Sequence, residues 1–193
     1  MPAATLSPSE TCRKAGEVIG ARNLVFVGLM GAGKSVIGRM TANALGLPFI
    51  DSDAEIERVS RMTIPDLFEA YGEKEFRALE TRVISRLLKS GPRVLSTGGG
   101  AFVNERTRAL VKARGLSLWL KADLDVLWER VNKRSHRPLL KTADPKATLE
   151  ALMHQRYPVY AEADITVFSR NVGKEAVVDD VIAAIAAHER PRP

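Results

Sequence analysis

GLMGAGKS, Gly28 to Ser35, stands directly behind the apolar run Leu24-Val25-Phe26-Val27 and directly ahead of a helical pattern. It fits G-x-x-x-x-G-K-[ST] at every fixed position, and the strand before it and the helix after it are the context that motif requires. Its glycines let successive backbone N–H groups point inward around phosphate oxygens, and the helix N-terminus adds a favourable dipole. On this reading Gly31, Ala32, Gly33, Lys34, Ser35 and Val36 hold a nucleoside triphosphate. Lys34 reaches the β- and γ-phosphates and Ser35 offers its hydroxyl to Mg²⁺. The plainer alternative is a glycine-rich turn that packs strand against helix and holds no ligand.

Working outward, short β-branched or aromatic runs recur, each followed by a helical pattern, which is the signature of parallel strands with crossover helices. The expected strands are 24–27, 48–50, 93–96, 116–121 and 164–168. Behind the first, Ile37, Met40, Thr41, Ala44 and Leu45 recur at helical spacing and are expected to face the sheet, with Gly46 ending the helix. Thr63-Ile64-Pro65-Asp66 reads as a helix start, with a short helix to Tyr71 ended by Gly72. From Glu73 a longer helix buries Phe76, Leu79, Val83, Ile84 and Leu87, which puts Arg77 and Glu80 together on another face. Asp123 and Asp144-Pro145 each open a further helix, the second carrying Arg156 near its end. Between them SHRPLLKTA, 135–143, has no regular period and reads as a surface loop or a mobile lid. The whole gives an α/β fold of three layers, a five-stranded parallel sheet between helices.

The chain has 193 residues, of which 45% are hydrophobic and 27% charged, room for one well-buried core. One domain is expected over 23–190, preceded by a mobile extension over 1–22 that is rich in Ala, Pro, Ser and Thr. The single cysteine, Cys12, can form no intrachain disulfide, which points to a reducing, cytoplasmic setting. No run approaches the roughly 20 apolar residues of a membrane helix. The formal charge of +6 fits an enzyme for anionic substrates. Basic residues are spread along the chain without interleaved aromatics, which makes nucleic acid a poor partner. Nothing in the sequence demands an oligomer, so a monomer is expected. His136, His154 and His188 are too dispersed for a metal site.

The kind of P-loop protein turns on Phe49-Ile50-Asp51-Ser52-Asp53, a strand that ends in two acids at i and i+2. In an extended chain those carboxylates share a face, and a strand ending beside the phosphate loop aims both at the γ-phosphate and its acceptor. One can hold Mg²⁺ and the other can accept a hydrogen bond from an attacking hydroxyl; alternatively Asp53 caps the next helix from Ala54. The chain lacks the asparagine-lysine-x-aspartate element of a GTPase, since Asn132-Lys133-Arg134-Ser135 has no acid. A small kinase remains, or a nucleotide-binding switch without catalysis.

These motifs together resemble the shikimate kinase family. GLMGAGKS, the DSD at 51–53, FRALE at 76–80, STGGG at 96–100, RPLL at 137–140 and RYPVY at 156–160 occur in that family's order and intervals, over roughly residues 22–170. The resemblance implies a P-loop kinase fold with a lid segment, ATP and shikimate as small-molecule substrates, Mg²⁺, and a place on the route to chorismate and the aromatic amino acids. It further implies that Asp53, Lys34 and Arg137 are catalytic, that Asp53 contacts the accepting hydroxyl, and that Arg77 and Arg156 grip the shikimate carboxylate. Planar guanidinium groups suit that task through bidentate, charge-assisted pairs. By the same resemblance Glu80 orients Arg77, Gly99 touches the acceptor, Ser35 and Asp51 serve the metal, Arg137 is a cation on the lid, and Arg130 lies near adenine. On the residues alone, Arg77 with Glu80 could equally be a surface ion pair and Arg156 a solvated helix residue. Another small kinase, for gluconate or a nucleoside monophosphate, is the alternative, although it leaves Asp53, Arg77 and Arg156 without a common purpose.

Overall fold

Residues 7–133 and 142–189 are described by the computed structural model. Its sheet is built on β1, Asn23–Val27, in which every side chain is buried. A strand with both faces covered must be apolar on both, and this one is, apart from Asn23. The other strands are β2, Phe49–Asp51, β3, Val94–Ser96, β4, Gly115–Lys121, and β5, Ile165–Phe168. All pairings are parallel, in the order β2-β3-β1-β4-β5. Each strand end falls within one residue of the sequence expectation.

Register decides where the functional loops meet. Phe26 lies opposite Ser96, and Ser96 lies opposite Asp51, so β1, β3 and β2 end in line. The three segments that follow them, GLMGAGKS, TGGG and SD, therefore emerge at one edge, beside the point where strand order reverses, which is where doubly wound sheets bind ligands.

The helices are α1, Pro8–Ile19, α2, Lys34–Leu45, α3, Ser52–Ser60, α4, Ile64–Leu87, α5, Glu105–Arg114, α6, Leu124–Asn132, α7, Pro145–Tyr160, and α8, Lys174–Ala187. On α2, Ile37 and Thr41 face inward as expected and Met40 and Leu45 are half-buried, but Ala44 is exposed; Gly38 and Ala42 take the inner positions instead. The reason is close approach. A Cβ on Gly38 would stand 3.2 Å from the Phe49 ring and 3.5 Å from that of Phe26, so the helix settles with its smallest residue against the sheet.

Within α4, Gly72 has φ 76° and ψ 173°, a conformation that only glycine adopts cheaply, and it breaks the helix into the short and long halves expected. Phe76, Val83, Ile84 and Leu87 are buried and Leu79 partly so, but Glu80 is buried with them. The separate face expected for Glu80 is therefore corrected: four residues after Phe76 and three before Val83, it shares the apolar face. The cap of α3 is also corrected. Its N-cap is Asp51, whose side chain accepts the Asp53 N–H at 3.0 Å, and the helix begins at Ser52.

The stretch expected as a mobile extension contains α1, with Ala15 and Ile19 fully buried where the helix packs on α8 and α2. Ser7 and Glu10 form a reciprocal capping box at its start, with Pro8 in the first turn. Those residues carried the signal, which the small and polar composition masked. No helix among the described residues is long and apolar enough to cross a membrane. Most of the expected lid, 135–141 with Arg137, lies outside the described residues.

Candidate active site

The aligned strand ends open onto a cavity of about 470 Å³. Its wall includes Gly31, Gly33, Lys34, Ser35 and Val36 from the phosphate loop, Asp51 from the end of β2, Asp53 from the first turn of α3, and Thr97, Gly98 and Gly99 from the turn after β3. Gly33 closes the loop with φ 96° and serves as N-cap of α2, so the first helical N–H groups face the cavity rather than a side-chain cap. Lys34 is buried along its stem and donates from Nζ to the Leu29 carbonyl at 3.1 Å.

Ser35 Oγ donates to Asp51 Oδ2 at 2.6 Å and lies 3.3 Å from Ser96 Oγ. This is a set of hard oxygen donors built on one carboxylate. It fits Mg²⁺, which keeps most of its water and takes one or two protein oxygens beside those of a phosphate. No group of three or more His, Cys, Asp or Glu that could hold a metal occurs among the described residues.

Asp53 is the most perturbed carboxylate. Burial, then the neighbouring charges of Asp51 and Glu80, push its pKa from 3.8 up to about 6, against the opposing pull of Lys34 and Arg77. A carboxyl poised there is ionised at neutral pH yet close enough to it to accept a proton. Burial also pushes Glu80 up, opposed by Arg77 and Arg156.

The turn Gly98-Gly99-Gly100 gathers the remaining residues. A Cβ on Gly98 would stand 2.6 Å from Asp53 Oδ1 and 2.9 Å from Glu80 Oε1; one on Gly99, 3.9 Å from an Arg156 nitrogen; and one on Gly100 would overlap the Arg77 guanidinium. Neither Arg77 nor Arg156 belongs to the cavity wall itself; both stand against the turn that does. Arg77 donates from Nη1 to Glu80 Oε2 at 2.8 Å and bonds Glu73 from its other nitrogens at 3.2–3.3 Å. Arg156, buried near the end of α7, donates from Nη1 to the Gly99 carbonyl at 3.2 Å. The solvated reading of Arg156 is thereby replaced.

Arg130, on α6, lies under the phosphate loop. It donates from Nη1 to Ser169 Oγ at 2.8 Å and to the Gly31 and Ala32 carbonyls at 3.4 Å, and from Nη2 to the Arg170 carbonyl at 2.8 Å. It lines the cavity together with Ser169 to Val172, the segment after β5, which sequence reading had passed over. The rule that ligands bind beyond strand ends could have found that segment. Ser52, whose Oγ accepts the Gly98 N–H at 3.2 Å, was missed as well; it ties the two turns together.

A phosphate-loop motif, a hydroxyl–carboxylate pair that fits a metal ion and a half-buried acid facing one cavity define a P-loop phosphotransferase. Comparison with known proteins narrows the class. The shikimate kinase family model matches residues 30–186. A shikimate kinase of Rhizobium meliloti (strain 1021) is 68% identical over 177 residues, covering 92% of each chain. The solved shikimate kinase from Acinetobacter baumannii in complex with shikimate is 36% identical, with a TM-score of 0.82 over 87% of this chain and 94% of that one. A gluconokinase from Sinorhizobium meliloti 1021, at 21% identity and a TM-score of 0.57, shares the fold alone. The chain belongs to the shikimate kinase family.

Proposed function

We infer that the chain transfers the γ-phosphate of ATP to the 3-hydroxyl of shikimate, giving shikimate 3-phosphate and ADP on the route to chorismate. The observation that supports this acceptor is the single turn, Gly98-Gly99-Gly100, against which Asp53, Glu80, Arg156 and Arg77 all stand. An acid for a hydroxyl and two guanidinium groups for a carboxylate are the complement of a small hydroxylated carboxylic acid. Gluconate offers a carboxylate too, but kinship within the shikimate kinase family and the fold-only likeness to the gluconokinase favour shikimate.

In this reading Lys34, the amides of Gly31 to Ser35 and Val36 hold the triphosphate, and Arg130 borders the adenine end. Ser35 and Asp51 would hold Mg²⁺, which draws charge from the phosphate oxygens when bound. Asp53 orients the acceptor hydroxyl and, with a pKa of about 6, takes its proton as the bond to phosphorus forms. Arg77, held by Glu80 and Glu73, and Arg156, held on Gly99, fix the carboxylate, while Gly99 backs the ring. Arg137, outside the described residues, is assigned to the transferring phosphoryl group, where a cation stabilises spread charge. The protein is assigned as a cytoplasmic monomer. ADP release from ATP and Mg²⁺ with shikimate, gluconate and AMP offered separately tests the reading. Turnover with shikimate alone is expected; turnover with another acceptor and none with shikimate overturns it.

A further inference from the structure

RYPVY ends α7 with two aromatic residues that the assigned chemistry does not use. Tyr160 is fully buried, yet its hydroxyl reaches the active-site turn and donates to the Gly99 carbonyl, the same oxygen that accepts from Arg156 Nη1. Its ring is backed by Trp119 of β4 at 6.0 Å between centroids, and Tyr157 holds Trp119 edge-on at 4.9 Å. The phenol is thus fixed from behind and delivers one hydrogen bond to one backbone oxygen.

That oxygen has a particular position. The Gly99 carbonyl belongs to the Gly99–Gly100 peptide plane, so fixing it fixes the whole plane. At one end of the plane stands the Arg156 guanidinium; at the other, the Gly100 Cα lies so close to Arg77 that any Cβ would overlap it. A rotation of this plane would shift both arginines relative to each other. Arg156 alone is a poor anchor, because it must leave its own hydrogen-bonding capacity for a ligand.

We propose that Tyr160 is a positioning residue for acceptor binding, its hydroxyl pinning the Gly99–Gly100 peptide so that Arg77 and Arg156 are held at the spacing a carboxylate requires. The proposal rests on the assignment of those two arginines to the shikimate carboxylate. Burial pushes the phenol to about 12, so it remains a neutral donor through the range in which the enzyme would be assayed. Trp119 also lies against Gly28, the first residue of the phosphate loop, but the hydroxyl itself touches only the acceptor side.

The test is Tyr160→Phe, which keeps the ring and its packing and removes only the hydroxyl. A lost hydrogen bond that acts through geometry is expected to raise the shikimate KM about tenfold, with the ATP KM and kcat within about twofold of wild type and thermal unfolding little changed. Because the effect passes through Arg156, the same substitution made in an Arg156→Ala background should add little, a strong non-additivity of the kind coupled residues show. Wild-type turnover of shikimate with an unchanged shikimate KM in Tyr160→Phe overturns the proposal alone. So does an equal rise in the KM of both substrates, which is the pattern of a general packing defect, or full additivity with Arg156→Ala. Wild-type enzyme that does not phosphorylate shikimate overturns the functional reading, and the proposal with it.

Discussion

Replacing Asp53 by Asn should make the ligand-free protein more stable while abolishing turnover. In the unfolded chain the Asp53 carboxyl titrates near its ordinary 3.8; in the folded protein burial and the Asp51 and Glu80 charges push it to about 6. A carboxyl with a raised folded pKa binds its proton more tightly in the native state, so ionisation opposes folding. The cost is absent well below 3.8, grows between the two values and is full above about 6. That difference corresponds to about 3 kcal/mol at pH 8 and about 1 kcal/mol at pH 4.5. Asparagine is nearly isosteric and cannot ionise, and no hydrogen bond to the Asp53 side chain is lost among those described; the Asp53 N–H that bonds Asp51 is retained. The variant should therefore gain up to about 3 kcal/mol at pH 8, roughly 6–12 °C in Tm for a domain of this size, and much less at pH 4.5. Urea or thermal unfolding of both proteins at the two pH values, without ATP, shikimate or Mg²⁺, reads this directly, and a coupled ADP assay reads the loss of turnover. A gain equal at both pH values, or none at pH 8, would refute the electrostatic origin of the perturbation. Near wild-type kcat would refute the catalytic role.

Three further outcomes are expected. Gly98→Ala places a methyl group 2.6 Å from Asp53 Oδ1 and 2.9 Å from Glu80 Oε1, so one carboxylate must move; kcat should fall about 100-fold, as small displacements of catalytic groups cost, while ATP binding measured by calorimetry stays close to wild type. Arg77→Lys keeps the charge beside buried Glu80 but loses the planar fork; the shikimate KM should rise about tenfold or more with the ATP KM nearly unchanged, and equal losses for both would contradict the assignment. Ile19→Ala empties a fully buried position where α1 joins the core; it should cost about 2–4 kcal/mol in chemical denaturation and leave kinetic constants unchanged, and no loss of stability would contradict that docking.

The sheet was legible because each of its signals is local. The apolar run at 24–27, the glycines and lysine behind it and the helix start after Gly33 report β1, the phosphate loop and α2 without knowledge of the rest. Asp51 and Asp53 were legible as a pair, but their division of labour was not, since it depends on which one the folded turn uses as the α3 cap. Glu80 was set on a different face with Arg77, although it stands four residues after Phe76 and three before Val83, a spacing that puts it on the apolar face; there it lies buried against the Gly98 turn, a contact between distant segments. Arg77 and Arg156 meet the same turn from two helices, which no spacing rule connects; only the resemblance of FRALE and RYPVY to one family brought them together. Tyr160 was visible in RYPVY as an aromatic at helical spacing from Arg156, a pattern that core residues share. The helix α1 was hidden for the opposite reason, a clear capping box inside a composition typical of unstructured leaders.

The acceptor site is tested most directly by comparing shikimate with its carboxamide as acceptor in wild type and in Arg77→Lys. Wild type should lose at least about 100-fold in kcat/KM on the carboxamide, because two guanidinium groups lose their charge-assisted partner, and Arg77→Lys should narrow the gap between the two acceptors. Equal phosphorylation of acid and amide by the wild-type protein would contradict the assignment of Arg77 and Arg156 and, with it, the acceptor site described for this fold.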